Sequence, residues 1–156
     1  MRSKAMRSKK TFIVANIILP LILGAVIYYI ISPNVYFVKQ LDSAMGNLLP
    51  GRMHIDSMRV NSAFVRALRN YLPDIAWGYS LMFGLYLALR NEISDMYVMI
   101  MIAFAFSTFI EILQITPSVS GTFDIIDIAY EFLAEIVAIL IIKIYTFRRK
   151  AYEKDR

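Results

Sequence analysis

Between Thr11 and Ile31 the chain reads TFIVANIILPLILGAVIYYII, with no charged side chain in the run. A helix that crosses a bilayer needs about 20 predominantly apolar residues. Three later stretches have similar length and character: LPDIAWGYSLMFGLYLAL from Leu72, MYVMIMIAFAFSTFIEILQI from Met96 and FDIIDIAYEFLAEIVAILIIKIY from Phe123. The pattern predicts an all-α polytopic membrane protein, a single domain over residues 1–156 with four transmembrane helices at about 11–31, 72–89, 96–115 and 123–145. Composition agrees: 58% of the residues are hydrophobic, against about 45–50% in a soluble domain.

The segments between the spans are informative in different ways. Pro117, Ser118, Ser120 and Gly121 mark a tight turn, so the last two spans form an antiparallel hairpin. The first loop is longer, and SMRVNSAFVRALRN sets Arg59, Arg66 and Arg69 opposite Val60, Phe64, Val65 and Leu68. That division predicts an amphipathic helix over about 57–70, lying in the membrane interface. Pro73 suits the first turn of the span that follows, where its missing N–H costs nothing. The basic start MRSKAMRSKK resembles the head of a signal peptide, but the apolar run after it exceeds the usual core, so an uncleaved first span is expected. Basic residues cluster at both ends: Arg2, Lys4, Arg7, Lys9 and Lys10, then Arg148, Arg149, Lys150, Lys154 and Arg156. Excess Lys and Arg mark the cytoplasmic side, so the expected topology is multi-pass in the plasma membrane with both termini cytoplasmic. The net charge of +5 flanks lipid-spanning runs and is read as orientation, with no nucleic-acid partner.

Several chemistries are excluded. The chain has no cysteine, which removes disulfides, thiol nucleophiles and thiolate metal sites, and its single histidine, His54, argues against a multi-histidine centre. It contains no Gly-rich phosphate loop, Ser–His–Asp set or H-E-x-x-H motif.

The polar residues inside the spans carry the functional signal. In span four, Asp124, Asp127, Glu131 and Glu135 recur at i, i+3, i+7 and i+11 and share one helix face. The column descends about 16 Å at 1.5 Å per residue. Each charge at the centre of a spanning helix costs about 2.5–3.5 kcal/mol, so the deep glutamates must be protonated, paired, hydrated or bound to a ligand. Asp124 and Asp127 alone are also what an ordinary helix start uses, a cap and a first-turn acid. In span three, Ser107, Glu111 and Gln114 share a face. With alternating spans, Asp74, Glu111, Gln114, Asp124 and Asp127 arrive at the same membrane side. They define an expected acidic pocket with Glu131 and Glu135 as its floor and Trp77 near Asp74. Arg52, Arg59, Arg66 and Arg69 would steer an anionic group toward it. If the pocket holds a divalent cation, Glu111, Asp124, Asp127 and Glu131 are the candidate oxygen ligands.

EILQ, closing span three with Glu111 and Gln114, and FDIID, opening span four with Phe123, Asp124 and Asp127, resemble the motifs of the VanZ-like membrane protein family. The resemblance covers spans two to four. The chain differs from the family in having neither Lys nor His beside Asp74, no arginine in SVSGT, and Glu131 and Ala134 where Asn and Gly are usual. The family is named for a protein that lowers susceptibility to teicoplanin, a lipoglycopeptide that binds cell-wall precursors. The resemblance implies a bacterial cell-envelope protein and carries no reaction with it. Three functions follow as expectations: a binding protein for a lipid-linked envelope component or lipoglycopeptide, a metal-dependent enzyme on a lipid phosphate, or a proton- or cation-coupled transporter, for which four spans would require an oligomer.

Overall fold

The computed structural model describes residues 2–31, 62–89, 95–116 and 123–154. Among them every regular element is helical: α1 (Arg2–Ile31), α2 (Ala63–Ala88), α3 (Met96–Gln114) and α4 (Ile125–Lys154). Two segments, Lys9–Ile27 and Met96–Gln114, are long and apolar enough to cross a membrane. Two of the four predicted spans, the first and the third, thus fall on helices of spanning length and composition.

The contacts fix the directions of the helices. Along α1 and α2, Gly24 lies by Pro73 and Ala76, Asn16 by Tyr79, Phe12 by Phe83 and Lys9 over the Tyr86 ring. One set of numbers falls as the other rises, so the pair is antiparallel. Along α2 and α4, Tyr71 meets Tyr130, Gly78 meets Glu131 and Tyr86 meets Thr146, so these two run the same way. α3 opposes α4, with Phe104 against Phe132 and Glu111 against Asp124. The result is an up-down-up-down bundle. One end gathers the first turns of α4, the end of α3 and the Pro73–Asp74 region of α2. The other gathers Lys9 and Phe12 of α1, the end of α2 and the Tyr145–Thr146 turn of α4.

α2 is the central helix and packs on all three others. Its buried face comprises Ala76, Gly78, Ser80, Met82, Phe83 and Tyr86. On α3, Met96, Met99, Ala103, Ser107 and Glu111 are buried, spaced three and four residues apart on one helical stripe. The core divides along the bundle axis. Toward the terminal end it is apolar, with Ile13, Met82, Phe83, Tyr86, Met99, Ala138, Ile139 and Ile142. Toward the other end it holds Glu111, Glu131 and Glu135 with Ser107. The exterior is the reverse: Leu19, Ile22, Leu23, Tyr97, Met101, Phe109, Leu133, Leu140 and Ile144 are all more than half exposed.

Two expectations require correction. α2 starts nine residues before Leu72, capped by Ser62, whose Oγ accepts from the Val65 amide at 3.2 Å. The arginine-bearing residues 63–70 are thus the first turns of α2, not a separate interfacial helix; residues 57–61 of that expected helix lie outside the described residues. Pro73 consequently sits inside the helix. It removes one hydrogen bond, to the Arg69 carbonyl, without ending the helix. At the other extreme, α4 continues past Tyr145 through Arg148 and Arg149.

Close approach of α2 and α4 depends on Gly78. A β-carbon there would lie 2.8 Å from the Glu131 carbonyl oxygen and 3.1 Å from its Cα. Both atoms are backbone and cannot rotate away, so Gly78→Ala forces the helices apart. The expected loss is about 1–3 kcal/mol, as for overpacking in a core. Thermal unfolding of the purified protein should show a lower midpoint for Gly78→Ala than for Gly84→Ala, since a β-carbon at Gly84 meets nothing within 4 Å.

Candidate functional site

At the junction of α3 and α4, Glu111 ties two chain segments together. Its Oε1 accepts from Gln114 Nε2 at 2.9 Å, and its Oε2 accepts from the Asp124 backbone amide at 3.1 Å. Asp124 in turn starts α4. Its Oδ1 accepts from the Ile126 amide at 2.9 Å, and its carbonyl accepts from the Asp127 amide at 3.1 Å. An aspartate in this position satisfies otherwise orphaned amides and faces the positive end of the helix dipole. Glu111, Gln114 and Asp124 therefore form a clamp whose hydrogen bonds are made within the protein. Glu111 is only 5% exposed.

The remaining acids are arranged along the seam behind that clamp. Asp74 of α2 lies within electrostatic reach of Asp127, Glu131 and Glu111, drawn from both other helices. Glu131 lies near Glu111, Asp127 and Ser107, and Glu135 near Glu131 and Ser107. Every charged neighbour in this set is acidic, and no Lys or Arg among the described residues takes part. Glu131 is 7% exposed and Glu135 1%. Glu131 Oε2, both Glu135 oxygens and Ser107 Oγ are buried with no hydrogen-bond partner among the described residues.

The expected pocket residues thus separate into groups. Asp74, Glu111, Asp127, Glu131 and Glu135 do come together. Gln114 and Asp124 belong to the clamp. Trp77 follows Asp74 by three residues and so lies on the same side of α2, but it is 41% exposed and its ring packs against Phe106 of α3 at 6.3 Å. Arg66 is exposed and Arg69 half-buried on the first turns of α2, where Arg69 Nε donates to Asn70 Oδ1 at 3.1 Å. Arg52 and Arg59 lie outside the described residues. No group of three or more His, Asp or Glu side chains among the described residues converges as a metal site would require, so Glu111, Asp124, Asp127 and Glu131 do not form the divalent-ion centre considered from sequence. Two features were missed. Gly78 brings α4 against α2 beside Glu131, and Ser80 is a second buried serine, 3% exposed with an unpartnered Oγ. The available signal was a glycine inside an apolar span, since small residues let helix backbones approach closely.

The clamp can be tested by its asymmetry. Glu111→Ala leaves the half-buried Asp124 amide without its acceptor and also frees Gln114, a loss of about 1–2 kcal/mol, whereas Gln114→Ala removes a single hydrogen bond, about 0.5–1.5 kcal/mol. Hydrogen exchange at the amides of Asp124 and Ile125 should accelerate strongly in the first variant and little in the second.

Compared with known protein families, curated proteins and solved structures, the chain matches none.

Proposed function

We propose that this chain is a four-span protein of the bacterial plasma membrane, VanZ-like in its motifs, with both termini in the cytoplasm. On this reading its acidic seam faces outward and binds the cationic part of a lipid-linked envelope component or lipoglycopeptide, contributing to teicoplanin-type resistance. The observation that carries the reading is the inversion of the bundle: acids with no basic counterpart among the described residues lie inside, and large apolar side chains lie outside. Extended exposed apolar surface marks contact with lipid or protein, and intramembrane ionisable groups mark sites. α2 has 26 residues and α4 has 30, which at 1.5 Å per residue exceed the roughly 30 Å hydrocarbon core. Their acids keep them from reading as plain apolar spans. An up-down-up-down bundle returns both basic termini to one side, in keeping with the excess of Lys and Arg there.

The site's chemistry favours binding over the alternatives. Asp74 and Asp127 stand at the entrance, where an ammonium group would find several carboxyls and no competing cation among the described residues. The donor set for a metal-dependent enzyme is not assembled. The apolar core at Phe83, Tyr86 and Met99 closes the seam toward the terminal end, which a transporter would have to open.

Two measurements test this. The chain lacks cysteine, so single substitutions report topology cleanly. In intact cells a membrane-impermeant maleimide should label Ser118→Cys, and should label Ser3→Cys only after permeabilisation. For function, a susceptible bacterial host expressing the wild type should tolerate more teicoplanin than one expressing Asp74→Asn or Asp127→Asn at equal membrane levels. Equal susceptibility of all three and of the empty host would sink the resistance reading.

A further inference from the structure

Behind the entrance, Glu131 and Glu135 are one helical turn apart on α4, and Ser107 of α3, 2% exposed, lies against both. Ser107 is within interaction range of both carboxyls but reaches hydrogen-bond geometry with neither, so Glu131 Oε2, both Glu135 oxygens and Ser107 Oγ are buried without a hydrogen-bond partner among the described residues. A buried polar atom left without a hydrogen-bond partner is costly, and a charged one more so. Four in one place, fed by three side chains from two helices, point to a ligand that satisfies them together.

The donors define its class. All four are oxygens, which suit hard cations. The charged groups that face the pair are Asp74 from α2, Glu111 from α3 and Asp127 on α4 itself, all acids. The ligand must therefore bring positive charge. Divalent ions are poorly served: Ca²⁺ takes six to eight oxygen ligands and Mg²⁺ near-ideal octahedral geometry, and among the described residues no three acidic or His side chains converge. A monovalent ion needs less. With one carboxyl of the pair protonated and the other ionised, one alkali cation makes the site neutral. Binding is then an exchange starting from the doubly protonated, neutral pair: the cation enters as one proton leaves to solvent, the other carboxyl keeps its proton, and total charge is unchanged.

We propose that Glu131, Glu135 and Ser107 form a buried site for a monovalent alkali cation, behind the entrance and separate from the ligand held there. The site depends on the membrane bundle of the preceding section but not on its lipoglycopeptide ligand. Loss of the resistance phenotype and loss of this site are therefore separate outcomes, read in different assays.

The test uses the full chain in lipid nanodiscs, in NaCl, KCl or choline chloride of equal ionic strength. Dicyclohexylcarbodiimide modifies protonated carboxyls in apolar surroundings, and mass analysis of the peptide carrying Glu131 and Glu135 follows its rate. One of the alkali cations should slow modification saturably, down to about half the rate in choline because one carboxyl of the pair keeps its proton, and raise the melting temperature with the logarithm of its concentration. Ser107→Ala should weaken both effects, and Glu135→Gln should abolish the melting response. Equal rates and equal melting temperatures in all three salts would overturn the proposal, leaving a pair neutralised by protons alone. Protection by Mg²⁺ in place of the alkali cations would overturn it too. If the carbodiimide leaves the peptide unmodified even in choline chloride, the melting series alone decides. If Glu135→Gln does not assemble, wild type and Ser107→Ala decide.

Discussion

The contact between Gly78 and the backbone of Glu131 is the constraint on which the rest of the bundle depends. With no side chain at Gly78, α2 meets α4 backbone to backbone. That approach brings the acidic face of α4 to the protein interior, beside Ser107 of α3 and Asp74 of α2. Once α4 is held there, its opposite face, with Leu133, Val137, Leu140 and Ile144, is necessarily outside. In lipid this arrangement is reasonable, because hydrocarbon provides no hydrophobic drive for one apolar helix to seek another. Association rests on close packing at small residues and on interhelical polar contacts. Gly78 supplies the first, and the Tyr79–Asn16 bond at 2.6 Å and the Glu111–Asp124 bond are of the second kind.

The sequence was most legible where a single property decided the structure. α1 and α3 each carry a long apolar run, and α3 is a helix over nearly the expected residues, whereas α1 begins nine residues ahead of Thr11, in the basic stretch. The same held for the acidic face of α4, because 3.6-residue periodicity leaves no freedom in which side chains share a face. The convergence of Asp74, Glu111 and Asp127 followed from alternation of direction alone. Legibility failed where local preference competed with continuation of a helix. Pro73 reads as a first-turn residue, but Ser62 already caps the helix and the chain carries the proline within it.

Side-chain roles were harder to foresee than positions. Asp124 belongs to the same periodic column as Glu131, yet its carboxylate is engaged at the helix start. Glu111 and Gln114 were expected to line a pocket, and their hydrogen bonds instead stay within α3 and its junction with α4. Spacing places a residue on a face; it does not say whether a neighbouring backbone amide has already claimed its oxygens. Trp77 shows the same gap: it shares a side of α2 with Asp74, yet its ring packs on Phe106 of α3.

The two ends of the bundle are joined by different forces. At the terminal end, Phe12 stacks on Tyr145 at 3.9 Å between ring centroids, and Tyr86 reaches Thr146. At the acidic end, the joint is a carboxylate gripping an amide and a side-chain amide. Stacked aromatics are held by packing over a broad face, whereas the acidic end is held by a few directional hydrogen bonds. The bundle is therefore built like a clothes-peg, with a spring of rings at one end and jaws closed by hydrogen bonds at the other. Whatever loosens it in response to its surroundings will part the jaws first.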